Sequence, residues 1–246
     1  WKESSLGLAP DDARAVLRMA GTGPENVFAL VEPSWSFRSE CPGQWGTNMV
    51  ACPTIYRLSR IGGELAWREA SSPSLLCETV YIDQQFCVAL NGLWVDPSGE
   101  PWAVGHSGRA IRPRGPATPP LISGGLDETH AIIPLEGISG VSANDVWTVG
   151  GGGTIRHFVD GAWHVVDSPT KAHLRAVWAR SADDAWAVGD GGTILHWDGT
   201  SWQPSPSPLD ERPRALYGVW GDASGTTWIA GEHVLLRRRQ DATSNP

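Results

Sequence analysis

VWARSADDAWAVGDGGTILHWDGTSW, residues 177–202, decides the fold. It reads as a short apolar stretch, an acidic turn, and a second apolar stretch ended by Gly189. A Gly-rich turn, a third stretch (TILHW, 193–197), the tight turn DGTS (198–201) and Trp202, opening a fourth stretch, follow. Four short strands separated by Gly- and Asp-rich turns make one antiparallel sheet. The eight-residue interval from Trp178 to Trp186 recurs from Trp94 to Trp102 and from Trp220 to Trp228. Ser139 to Trp147 keeps the interval with its first Trp lost. A period of about 40–50 residues marks an architecture in which each unit buries its faces only against its neighbours.

Aligned on this stretch, the chain predicts an all-β, five-bladed β-propeller with four-stranded antiparallel blades in a single domain, residues 1–240. Blade one spans about 12–73, with Phe28 in the Trp position and an insertion at 31–53. Blade two spans about 88–124, with a weak fourth strand within 117–124. Blades three and four span about 136–169 and 173–208, and blade five about 214–240 with only three strands. Trp1-Lys2-Glu3-Ser4-Ser5 reads like the outer strands beginning at Trp67 and Trp202. Residues 1–6 are therefore expected to complete blade five and close the ring, leaving 241–246 as a flexible tail. A sixth blade hidden between Phe28 and Trp102 is the structural alternative, but that stretch holds no second VW-x(7)-W pattern.

Composition narrows the partners. Fourteen Trp each bury roughly 150–250 Å² when packed, so Trp placement sets the core. A net charge of -8 argues against nucleic acid and anionic membranes, which need basic patches. The basic run Arg237-Arg238-Arg239 reads as a solvated strand end. No apolar run is long enough to span a bilayer. The chain opens on Trp1 rather than Met, as a mature or trimmed domain does.

All four cysteines lie in the first 87 residues, and four allow three connectivities. Local pairing, Cys41 with Cys52 and Cys77 with Cys87, closes short loops and is the expectation, each link contributing about 3 kcal/mol before strain. Two disulfides imply an oxidising compartment; four buried thiols are the alternative. No Cys/His metal spacing and no cofactor motif appear, so no metal and no cofactor are expected.

Residues 177–202 and their copies resemble the Trp-rich propeller repeats of bacterial secreted proteins and surface lipoproteins, and are similar to BNR/Asp-box and photosystem-assembly-factor propellers. The match is strong over 137–231, fair over 89–112 and weak over 1–88. Asp198-Gly199-Thr200-Ser201-Trp202 resembles an Asp-box hairpin, one residue short and without the preceding Ser. The resemblance implies the fold, and a secreted, periplasmic or cell-surface address, with a lipid anchor through a trimmed N-terminus as one form of the last. Propellers host lectins, scaffolds, hydrolases and lyases alike, so it says little about activity.

In a propeller, second-to-third turns and crossovers share one face. The insertion 31–55, the segment 74–90 and the stretch 119–136 all fall there, and long loops on a rigid scaffold are where binding concentrates. Trp35, Phe37, Arg38, Trp45, Tyr81, Asp83 and Gln84 are the candidate contact residues on it. Trp35 and Trp45 fall outside the repeat register; packing beneath their own loop competes with a binding role. His106, Asp190 and Glu232 recur at turns opening the same face, where Asp127, Glu128 or His130 could join them as an acid/base cluster. His157 and His196 share one third-strand position, which structure explains better than catalysis. The reading is a non-catalytic binding module for a protein partner in an envelope or adhesion assembly. A glycan-binding lectin is the first alternative and a glycan-active hydrolase or lyase the second. Removing residues 1–8 is expected to lower the melting temperature by at least about 5 °C, more than a surface substitution does; an unchanged melting temperature would refute the closure.

Overall fold

The computed structural model describes residues 16–31, 54–61, 64–70, 77–81, 84–87, 90–112, 121–123, 133–209, 213–222 and 225–239. The architecture is a five-bladed β-propeller built from antiparallel sheets. Its only helical pieces among the described residues are single 3-10 turns between second and third strands. No helix among them is long and apolar enough to cross a membrane. The chain divides into two compact units, 1–132 and 133–246.

The first unit holds blades one and two. Blade one is β1 (Val16–Gly23), β2 (Asn26–Val31), β3 (Thr54–Ile61) and β4 (Glu64–Glu69), paired in sequence order. Between the blades stands a separate two-stranded hairpin, β5 (Cys77–Tyr81) and β6 (Gln84–Cys87), in a segment the sequence reads as a plain crossover. Blade two follows as β7 (Leu90–Val95), β8 (Pro101–Gly105), β9 (Ala110–Arg112) and β10 (Leu121–Ser123). Phe28 and Leu30 of blade one pack with Leu90, Val95, Ala103 and Ile111 of blade two.

The second unit holds three blades. Blade three is β11 (Leu135–Ser142), β12 (Asp145–Gly150), β13 (Ile155–Val159) and β14 (Ala162–Val166). Blade four is β15 (Leu174–Ser181), β16 (Asp184–Gly189), β17 (Ile194–Trp197) and β18 (Trp202–Pro204). Blade five contributes β19 (Leu216–Gly221), β20 (Thr227–Gly231) and β21 (Val234–Arg238). The fourth strand expected from residues 1–6, and with it the ring closure, lies outside the described residues. So does the tail 241–246.

The Trp interval is now explained. Trp94 lies opposite Trp102, Trp178 opposite Trp186 and Trp220 opposite Trp228 across the first hairpin of each blade. In blade three Ser139 takes the place opposite Trp147. Its hydroxyl accepts the Ala179 N–H of the next blade at 3.1 Å, so the lost indole is replaced by a polar tie.

The second strands of blades two, three and four are buried on both faces, and their period of two sorts residues by size. In β16, Trp186 and Val188 face blade five while Ala185 and Ala187 face blade three. There they meet Trp147 and Val149, so a large-residue face packs on a small-residue face. Phe28 meets Ala103 in the same way in the first unit.

The second strands of blades three, four and five end on a glycine because the chain must pass a carbonyl there. A methyl group on Gly189 would collide with the backbone oxygen of His173. Gly191, two residues on, has φ 66° and open space around it. Gly189→Ala is therefore expected to cost about 2–3 kcal/mol through overpacking, and Gly191→Ala about 1 kcal/mol through left-handed strain. Chemical denaturation of the two variants checks the order, and the reverse order would contradict this packing.

Candidate functional site

The turns after the second strands repeat one geometry. His106–Gly108, Gly151–Gly153 and Asp190–Gly192 form 3-10 turns in blades two, three and four, and Glu232 with His233 makes the tighter turn of blade five. The first turn residue donates its backbone N–H to the carbonyl just before the first strand of its own blade. The bonds are Gly151 to Pro134 (3.0 Å), Asp190 to His173 (2.9 Å) and Glu232 to Ala215 (2.8 Å). This tie places the turn beside the start of the first strand, where Leu135, Leu174 and Leu216 are buried. The residue after each Leu, namely Glu136, Arg175 or Tyr217, is partly or fully exposed there.

Because β15 packs between β11 and β19, these three positions fall side by side. Arg175 donates from Nε to Asp190 Oδ1 at 2.5 Å and from Nη2 to Asp190 Oδ2 at 3.1 Å, a bidentate pair. Its guanidinium carbon lies 5.3 Å from the centroid of the Tyr217 ring, which is 55% exposed. The Asp190 hydrogen bonds raise the Arg175 guanidinium above its ordinary value against the cost of desolvation, with the Asp190 charge, Tyr217 and Glu136 adding to the shift. Glu136 Oε1 lies 3.5 Å from His173 Nε2, a contact too long to satisfy that ring nitrogen. Arg175 thus meets a carboxylate of its own blade and a phenol of the next, with the Glu136–His173 pair on neighbouring elements.

Of the residues singled out from sequence, His106, Asp190 and Glu232 occupy the equivalent turn position in their blades. His106 belongs to the first unit, and the other two to the second. The Asp190 side chain engages Arg175. Tyr81 and Gln84 are backbone partners at the tip of the β5–β6 hairpin, and Cys77 and Cys87 are partners at its base. Trp35, Phe37, Arg38, Trp45, Asp83, Asp127, Glu128, His130, Cys41 and Cys52 lie outside the described residues. Sequence analysis did not single out Glu136, His173, Arg175 or Tyr217 as site residues. The signal was the residue following the Leu that opens each first strand.

His157 and His196 belong to the blades. Each lies opposite a second-strand Trp and stacks on it, His157 on Trp147 at 3.8 Å and His196 on Trp186 at 4.3 Å between ring centroids. Each also meets a carboxylate, Asp145 at 2.7 Å and Asp184 at 3.1 Å. Arg57, Arg112 and Arg237 lie over Phe28, Trp102 and Trp228 in the other blades. Among the described residues no three His, Cys, Asp or Glu side chains gather as metal ligands.

Neither a protein-family model nor a curated protein sequence matches the chain. Solved structures do. YCF48 bound to D1 peptide is 18% identical with a TM-score of 0.59, covering 97% of this chain and 82% of that one. A streptogramin B lyase is 15% identical with a TM-score of 0.61, over 96% and 71%. YCF48 from Cyanidioschyzon merolae is 16% identical with a TM-score of 0.54, over 90% and 81%. At these identities the likeness is one of fold.

Burial, and then the Arg238 guanidinium, hold His196 below the ordinary imidazole value. The Asp184 carboxylate does not reverse this, since Arg180 and the Trp186 indole N–H already engage it. The unfolded chain therefore binds a proton that the folded one refuses between the folded-state value and about 6.5. Stability should fall as pH drops from about 6.5 toward that value. Urea midpoints at about pH 7 and pH 5.5 should differ less in His196→Gln than in the parent; an equal difference would remove His196 as the cause.

Proposed function

We propose that this chain is a non-catalytic module, working outside the cytoplasm, that recognises a protein partner with the face carrying the second-to-third turns. Arg175, Asp190 and Tyr217 form its contact centre. The observation that carries this reading is the preorganised Arg175. Asp190 engages two of its five N–H donors, and Tyr217 supports its planar face. A guanidinium fixed on one edge and stacked on one face, yet partly exposed, suits bidentate binding of a carboxylate. An acidic side chain or a C-terminal carboxylate supplies that group on a protein. A propeller of similar fold, YCF48, is seen bound to a D1 peptide, which supports the reading at the level of fold.

The lectin alternative needs equivalent pockets repeated around the blades. The equivalent turn position carries His106, Gly151, Asp190 and Glu232, four different chemistries, which favours one asymmetric site. The likeness to a streptogramin B lyase keeps a lyase among the outcomes to be tested.

Peptide and glycan arrays probed with the 246-residue chain and with its Arg175→Ala variant provide the test. Binding to peptides bearing an acidic group or a free C-terminus, weakened about 10–100-fold by Arg175→Ala and not rescued by Arg175→Lys, is expected. Binding confined to one glycan class and untouched by Arg175→Ala would sink the reading, as would turnover of a glycan.

A further inference from the structure

Among the described strands, β5 and β6 pair only with each other. Its backbone partners are Cys77 with Cys87, Glu78 with Phe86, Thr79 with Gln85 and Tyr81 with Gln84. Two strands this short, paired only with each other, are marginal in water and need a further constraint. The ladder supplies a place for one at its base. Directly opposite residues of an antiparallel pair have Cα atoms about 4.5 or 5.5 Å apart, depending on their place in the hydrogen-bond pattern. Both separations fall within the roughly 4.4–6.8 Å that a disulfide spans. Directly opposite positions also share one face of the pleat.

We infer that Cys77 and Cys87 are joined by a cross-strand disulfide that closes the hairpin into a covalent ring. The ring holds Tyr81 and Gln84 in register. Two thiols lose two protons and two electrons in forming it. A small-molecule disulfide such as oxidised glutathione accepts them and leaves as two thiols, through attack by a cysteine thiolate and a mixed-disulfide intermediate. The inference rests on backbone register and is independent of the Arg175 site.

The sequence makes the test clean. Cleavage after glutamate at Glu40, Glu64, Glu69, Glu78 and Glu128 (the Glu100–Pro101 bond resists it) puts Cys77 in fragment 70–78 and Cys87 in fragment 79–128. Cys41 and Cys52 stay together in fragment 41–64. The whole chain is equilibrated with oxidised glutathione, its free thiols are blocked, and the digest is weighed without reductant. Fragments 70–78 and 79–128 should be joined, and should separate on reduction. Blocked thiols at both positions, or either fragment joined to 41–64, would overturn the inference. Amide exchange gives a second reading: in Cys77→Ser/Cys87→Ser, residues 77–87 should exchange at least tenfold faster while the blades keep their protection. Unchanged exchange there would mean the hairpin stands without the link.

Discussion

The structure depends on the contact between the large face of one blade and the small face of the next. Trp147 against Ala185 and Ala187, and Phe28 against Ala103, are the same contact in the two units. A sheet with bulky residues on both faces would hold its neighbours apart; one with alanines on both would leave voids. Alternating size along a doubly buried strand lets every blade be at once knob and socket. The glycines ending the second strands of blades three to five belong to this constraint, because the close approach of neighbouring strands also brings a backbone carbonyl against the strand end.

That packing also places the chemistry. First strands lie against first strands, so the residues after Leu135, Leu174 and Leu216 come together although some forty residues separate each from the next. Arg175 is then fixed from two directions by groups on two blades, Asp190 on its own and Tyr217 on the following one. Neither partner has a structural duty in the core. Their exposure distinguishes them from the stacked histidines, whose carboxylate partners sit along the blade's own strands.

Much of this was legible in the order of residues. The Trp interval is the hairpin register itself, which is why it survived in Ser139–Trp147 with only one Trp. The recurrence of His106, Asp190 and Glu232 at one turn position was visible for the same reason, since each directly follows the glycine that ends its second strand. The Arg175–Asp190 pair was not, because a repeat reveals positions that stay alike, and the position after the Leu changes from Glu to Arg to Tyr. The β5–β6 hairpin was missed on different grounds. CETVY and QQFC are short, and the Ile-Asp pair between them carries none of the Gly that marks a two-residue turn.

The tie between each second-to-third turn and its first strand uses main-chain atoms only. A backbone bond makes no demand on the side chain that rides upon it, so glycine, aspartate and glutamate serve the architecture equally well at Gly151, Asp190 and Glu232. Stability and recognition are thereby uncoupled at the positions where the face is decorated. Such a scaffold can have its specificity rewritten one blade at a time, each change tried against a partner without first being tried against the fold.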